Sequence, residues 1–307
     1  TMKLSKYIGR QIKKVIYFFT ILPNKYSLYK GIRKIYRNNK KDFSAISGEN
    51  LREHARIWSH LGSKPSLLWY KVFHGLSGID DPHFVPEPYY FHKIELILNN
   101  KTLSYSYSDK NNYHKIIDNA YLPEVYFRNI EGNYYTGNYT PADNPEEINA
   151  FIPSDASRII TKASMGPGGG RSIQMFERTN DRWVNSAGNN LDLNYLVKTY
   201  GKNFLIQQHI KQHPSYSFFN ETSVNTLRLF TYRSVKDNKV IPLHVLLRIG
   251  GKQSVVDNLS SGGVGCGVDL TGKIKPFGLC KNSRRFEEYN GIVFREVAPL
   301  YRFQEII

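Results

Sequence analysis

The stretch Ile159–Phe176, IITKASMGPGGGRSIQMF, decides the fold. An apolar, β-branched run ends at Lys162, four glycines fill five positions from Gly166 to Gly170, and an apolar segment resumes after Arg171. The flanks read as two strands and the middle as the loop that joins them. Consecutive glycines let backbone N–H groups converge on an anion with no Cβ in the way, and a phosphate chain is the usual occupant. No Lys-Ser/Thr follows the last glycine, so this is not a Walker loop. The loop does not open a helix, so it is not the dinucleotide fingerprint. A kinase glycine loop would place its lysine downstream, whereas Lys162 comes first. A strand-end lysine, a glycine loop and a return strand instead make a phosphate clamp. A plain surface hairpin is the blander reading, but four glycines in five exceed what a turn needs.

Downstream, LDLNYLVKTYG reads as a helix ended by Gly201. Strand-like runs follow in NFLIQQHI, SVNTLRLFTYRSV, VIPLHVLLRIG, GCGVDL and KIKPFGL, so residues 204–279 read as mostly antiparallel β. This places Asn225 and Arg228 on one strand and Arg248 on the next, with Asp257 and Asn258 before a Ser-Ser-Gly-Gly turn. FREVAPLYRFQEII reads as the start of a closing helix. Upstream, GENLREHARIWSHLG, PSLLWYKVFHGLSG and PYYFHKIELILNN read as helices. Glu131-Gly132-Asn133 reads as a hairpin turn.

The formal net charge is +16, and it is unevenly placed. Twelve of the 42 Lys/Arg precede Asp42, the first acid, leaving 30 basic against 26 acidic residues in the rest. The apolar run Val15–Leu22 is too short to span a bilayer, and Pro23-Asn24-Lys25-Tyr26 is a poor signal-peptide cleavage site. Leu4, Ile8, Ile12, Val15, Ile16 and Phe19 recur at helical spacing among lysines. Two readings stay open: a basic amphipathic helix on an anionic membrane surface, or an ordinary helix packing on the body. No recognised nucleic-acid motif accompanies the charge, which argues against a nucleic-acid partner. The two cysteines, Cys266 and Cys280, fit neither a zinc spacing nor a disulfide framework and read as reduced cytoplasmic thiols.

Taken together, SDKNNYHKI, ITKASMGPGGGRSI, FLIQQHIKQHP, SVNTLRLFTYR, LLRIG and VVDNLSSGGVGCGVDLTGKI resemble the ATP-grasp superfamily, and within it the branch associated with sugar transfer and surface-polysaccharide loci. The resemblance covers roughly residues 108 to 275. It implies an α+β fold in which two α+β subdomains grip ATP, preceded by a helical N-terminal region. The implied organisation is a basic arm over 1–41, a helical region over 42–100, a first subdomain with the lid loop over 101–206, and a second over 207–307.

Such ligases convert a carboxylate to an acyl phosphate that an amine then attacks. Carried over by position, Lys162 binds phosphate, and Gly166, Gly168, Gly169, Gly170 and Arg171 form the lid. Gln207, Gln208, His209 and Ile210 line the adenine hinge. Arg228 and Arg248 stabilise the transferred phosphoryl group and the acyl phosphate, and Asn258 with Gly262-Gly263 lies at the acceptor site. Arginines suit that role, because phosphoryl transfer to a carboxylate brings two anions together.

ATP and Mg²⁺ are the implied cofactors. The implied partners are a sugar or sugar-nucleotide carboxylate, such as a uronic acid, and an amine. The implied location is the cytoplasm, at the inner face of the membrane. The family's metal-binding acid and Glu-x-Asn are not found before Ile307, so the second subdomain is expected without its last strands and the metal ligands stay unassigned. Asp257 and Asp269 are the acids near the site, and both read as structural. Two alternatives follow: a degenerate nucleotide-binding scaffold, or a membrane- or nucleic-acid-docking protein with a vestigial ATP fold.

Overall fold

The computed structural model describes residues 22–39, 46–62, 65–166, 173–180, 182–281 and 283–307. The chain divides into two units, Thr1–Thr102 and Leu103–Ile307. The expected lid residues Gly168, Gly169, Gly170 and Arg171, and the arm residues Leu4 to Phe19, lie outside the described residues.

The first unit is helical. Its helices are Leu22–Asn38, Gly48–Ser59 and Leu68–Ser77, followed by a helical run from Glu87 to Leu98 with a π-helical stretch at Tyr90–Ile94. Ser47 caps the second helix by accepting hydrogen bonds from the N–H groups of Glu49 and Asn50. Gly78, at φ 71°, ends the third in the left-handed conformation that glycine adopts without strain. Ile32, Trp69 and Val72 form the buried centre, with Leu28, Ile35 and Tyr36 packed around it.

Among the described residues the second unit holds two large antiparallel sheets and a small two-stranded one, Glu288–Tyr289 with Ile292–Val293. The first has strands β1 (Val125–Ile130), β2 (Asn133–Thr136), β3 (Arg158–Ala163), β4 (Ile173–Thr179), β5 (Arg182–Asn185) and β6 (Asn203–Gln208), in the order β2-β1-β6-β3-β4-β5. The β1–β2 hairpin turns through Glu131 and Gly132, both at positive φ, as a two-residue hairpin requires. One face packs Phe127, Ile159, Phe176, Phe204 and Ile206 against Leu193 and Leu196 of helix Leu193–Tyr200. Asp192 caps that helix and Gly201 ends it.

The second sheet has β7 (Thr226–Arg233), β8 (Val240–Ile249), β9 (Val264–Val268), β10 (Ile274–Leu279) and β11 (Arg285–Phe286), in the order β11-β10-β9-β8-β7. Its core face carries Val245, Leu247, Ile249, Val264, Cys266 and Val268. Two sequence expectations need correction here. Asn225 precedes β7 and is not on it. The segment read as a closing helix forms only the 3₁₀ turns Phe294–Glu296 and Phe303–Glu305. Pro299 removes a helical N–H, and Arg302 sits at φ 52°, so the chain bends and drops Phe294, Leu300 and Phe303 into the core instead.

Candidate functional site

A cleft of ≈ 1470 Å³ opens between the two sheets of the second unit. Strand alternation decides which side chains reach it. On β3, Ile159 and Thr161 are buried, so Arg158, Ile160 and Lys162 face the cleft. Across the ladder their partners are Glu177, Met175 and Ile173 of β4, and these line it too. The wall therefore grades from an Arg158–Glu177 ion pair, through the apolar pair Ile160–Met175, to Lys162.

The Lys162 side chain makes no hydrogen bond or ion pair among the described residues. Burial, with the nearby charge of Lys110 added, pushes its ammonium down to about 8. Lys110 is held by its own N–H, 3.1 Å from the carbonyl of Ser164, and by Nζ, which donates to the same oxygen at 2.8 Å. Two lysines thus sit side by side at the start of the glycine loop. Gly166 enters that loop at φ 153° and does not line the cleft. Lys110 is not among the site residues expected from the sequence. The available signal was the Asp-Lys pair, in which Asp109 caps the short turn Lys110–Asn112.

β6 leads into the segment expected to form the hinge. Gln207 pairs with Ile160, and the N–H of Gln208 donates to the Glu124 carbonyl at 2.8 Å. Beyond Gln208 the chain leaves both neighbouring strands. His209, Ile210 and Lys211 line the cleft, and outside the strand ladders they make no backbone–backbone hydrogen bond among the described residues. His209 is half-buried and Ile210 and Lys211 are exposed, so this edge leaves a backbone donor and acceptor open to a ligand. Burial also lowers the pKa of His209, which keeps this imidazole neutral near neutral pH. Gln212 and Asn225 fix the hinge's far end reciprocally: Asn225 N–H donates to Gln212 Oε1 at 2.6 Å, and Gln212 Nε2 donates to the Asn225 carbonyl at 2.8 Å.

The second sheet contributes Thr226, Arg228 and Arg248 from one face, since Thr226 stands opposite Arg248 and two residues before Arg228. The two arginines differ in setting. Arg228 is exposed and has no ion pair among the described residues. Arg248 is nearly closed to solvent, and its Nη2 lies 2.9 Å from Oδ1 of Asp257. Nη2 also donates to Oδ1 of Asn258, and the Thr226 hydroxyl donates to the other oxygen of Asp257. Burial pulls the pKa of Arg248 down and Asp257 opposes that shift. Asp257 is therefore a cleft residue that fixes Arg248, which the sequence reading treated as a turn acid. Asp269 closes its own turn by accepting from the N–H groups of Thr271 and Lys273. Gly263 lets the Asp257–Asn258 loop lie against β8, because a Cβ there would fall 2.7 Å from the Ile249 carbonyl oxygen and 2.9 Å from that of Asn258.

The structure thus gathers Lys162, Gln207, Gln208, His209, Ile210, Arg228, Arg248 and Asn258 around one cleft. The free hinge edge and the unpaired cations suit a nucleotide. No group of three His, Cys, Asp or Glu side chains among the described residues could hold a metal ion. Both oxygens of Asp257 are already engaged, so no residue is assigned to Mg²⁺.

Two antiparallel sheets closing on such a cleft make an ATP-grasp fold. The chain belongs to the sugar-transfer associated ATP-grasp family, whose profile matches residues 91–288. Its members are ATP-dependent and ligase-like, with ATP and Mg²⁺ as the family's general cofactors. No curated protein and no solved structure matches the chain.

Proposed function

We propose that the protein activates a carboxylate as an acyl phosphate and joins it to an amine. The observation that carries this reading is a pair of cations from opposite sheets, Lys162 and Arg228. Both face the cleft, and neither has an acidic partner among the described residues. Unpaired positive charge on both walls fits a reaction whose partners are both anions.

In this reading the adenine lies against Ile160 and Met175 with its edge on the backbone of His209 to Lys211. Lys162 and Lys110 hold the phosphates, beside Gly166 where the glycine loop begins. A carboxylate oxygen attacks the γ-phosphorus as the bond to the leaving ADP oxygen breaks. Arg228 neutralises the charge that accumulates, while Arg248, held by Asp257 and Asn258, orients the acyl phosphate. The amine then attacks the acyl carbon, loses a proton and expels phosphate, leaving an amide.

The family's association with sugar transfer supports a sugar or sugar-nucleotide uronic acid as the carboxylate. It also supports a cytoplasmic step in cell-surface polysaccharide or capsule assembly as the setting. Mass spectrometry tests this directly. The protein is incubated with ATP, Mg²⁺ and a panel of uronic acids and amines, and the account expects ADP together with an amide. The absence of a three-ligand acidic cluster among the described residues favours a second reading, a nucleotide-binding scaffold. In that case ADP binds and no amide forms with any pair.

A further inference from the structure

The helix Leu22–Asn38 has two opposed faces. Leu28, Ile32, Ile35 and Tyr36 pack against Trp69 and Val72. At 100° per residue, Tyr26, Lys30, Arg33, Lys34 and Arg37 fall within an arc of about 100° on the other side. All five are exposed. The helix contains no acidic residue, and the four cations have no ion pair among the described residues. Like charges at i, i+3 and i+4 repel one another, so the face gains from an external counter-charge.

We propose that this face docks on the anionic headgroups of a lipid surface. Three observations select lipid. Tyr26 stands exposed at the end of the stripe, and tyrosine is enriched at membrane–water interfaces. The sequence before the helix interleaves Lys6, Arg10, Lys13 and Lys14 with Ile8, Ile12, Phe18 and Phe19. No helix among the described residues is long and apolar enough to cross a membrane. The amphipathic spacing expected over Leu4 to Phe19 lies outside the described residues. In the helix Leu22–Asn38 the apolar side is occupied, so the docking of this helix is electrostatic and sensitive to salt. The proposal is independent of the ligase reading.

The test is sedimentation of the full chain with vesicles of phosphatidylcholine alone, or with about one third phosphatidylserine. The variant replaces Lys30, Arg33, Lys34 and Arg37 by Gln. A control of equal net charge replaces the exposed Lys198, Lys202, Lys236 and Lys281 by Gln. All four substituted side chains of the variant point away from the packed face, and an unchanged Tm verifies the fold. The expected result is binding to anionic vesicles only, lost in high salt. The variant should partition about a thousandfold more weakly at low salt, and the control should behave as wild type. Equal binding by variant and wild type overturns the proposal, as does salt-insensitive binding to neutral vesicles. Capture of a 20-base-pair DNA duplex through these four residues, without vesicle binding, also overturns it and assigns the face to nucleic acid.

Discussion

Arg248 and Asp257 form a nearly buried ion pair, with Nη2 2.9 Å from Oδ1, on the wall of the cleft where Arg228 stands unpaired. One sheet face therefore presents two arginines with different duties. Arg248 is locked in place, and Arg228 is available to a substrate anion.

This difference predicts opposite mutational profiles. Asp257→Ala leaves the Arg248 guanidinium without its counter-charge and should destabilise the fold by about 3 kcal/mol. Arg228→Ala should change stability by less than about 0.5 kcal/mol. It should lower kcat well before it raises the KM for ATP, because charge that develops in the transition state is stabilised at that step. Urea denaturation and steady-state kinetics measure the two effects. Equal destabilisation by both variants contradicts the assignment.

Burial of the Lys162 ammonium costs stability. Its pKa falls from 10.5 in the unfolded chain to about 8 in the fold. At about 1.4 kcal/mol per unit, burying the charge costs on the order of 3 kcal/mol. The cost is fully present below pH 8 and fades as pH rises from 8 towards 10.5, because the folded state releases its proton first. Lys162→Met should therefore raise the Tm at pH 7 and lose that advantage by pH 10. Thermal melts across that range check the sign, and a destabilised Met variant at pH 7 contradicts it.

The same titration governs nucleotide affinity. The charged ammonium is the form that meets phosphate, so the Kd for ADP should be level with pH up to about 8. Above that it should rise by about tenfold per unit, as binding takes up a proton. Calorimetry in buffers of different ionisation enthalpy reads both the affinity and the proton uptake. A flat profile to pH 9.5 would remove Lys162 from the phosphate site.

Gly263→Ala places a Cβ 2.7 Å from a backbone oxygen of β8 and 2.9 Å from the carbonyl of Asn258. The Asp257–Asn258 loop must move, and Arg248 loses its orientation. Stability should fall by about 1–3 kcal/mol, and kcat should fall with it. A crystal structure of the variant would show whether the loop has shifted.

The sequence made the strands legible because their alternation is clear. Ile159 and Thr161 against Ile160 and Lys162, and Leu227 and Leu229 against Arg228, fix both pairing and facing. The glycine loop and the order of motifs carried the fold family. What stayed hidden depends on contacts between separated segments. Asp257 looked like a turn acid because its partner lies nine positions away on another element. Lys110 lies far from Lys162 in sequence, and its hydrogen bonds to Ser164 are what bring the two together. The C-terminal segment carried a helical pattern that Pro299 and the aromatic anchors override.

The central claim is that a nucleotide lies in this cleft with its base on the hinge. Amide hydrogen exchange with and without Mg²⁺-ADP tests it most directly, since outside the strand ladders His209, Ile210 and Lys211 make no backbone–backbone hydrogen bond among the described residues. The account predicts that ADP slows exchange at 209–211 and along β3 and β4 in the wild type, and that Lys162→Met abolishes most of this protection. Unchanged exchange at 209–211 under saturating ADP, or protection confined to another part of the chain, would contradict it.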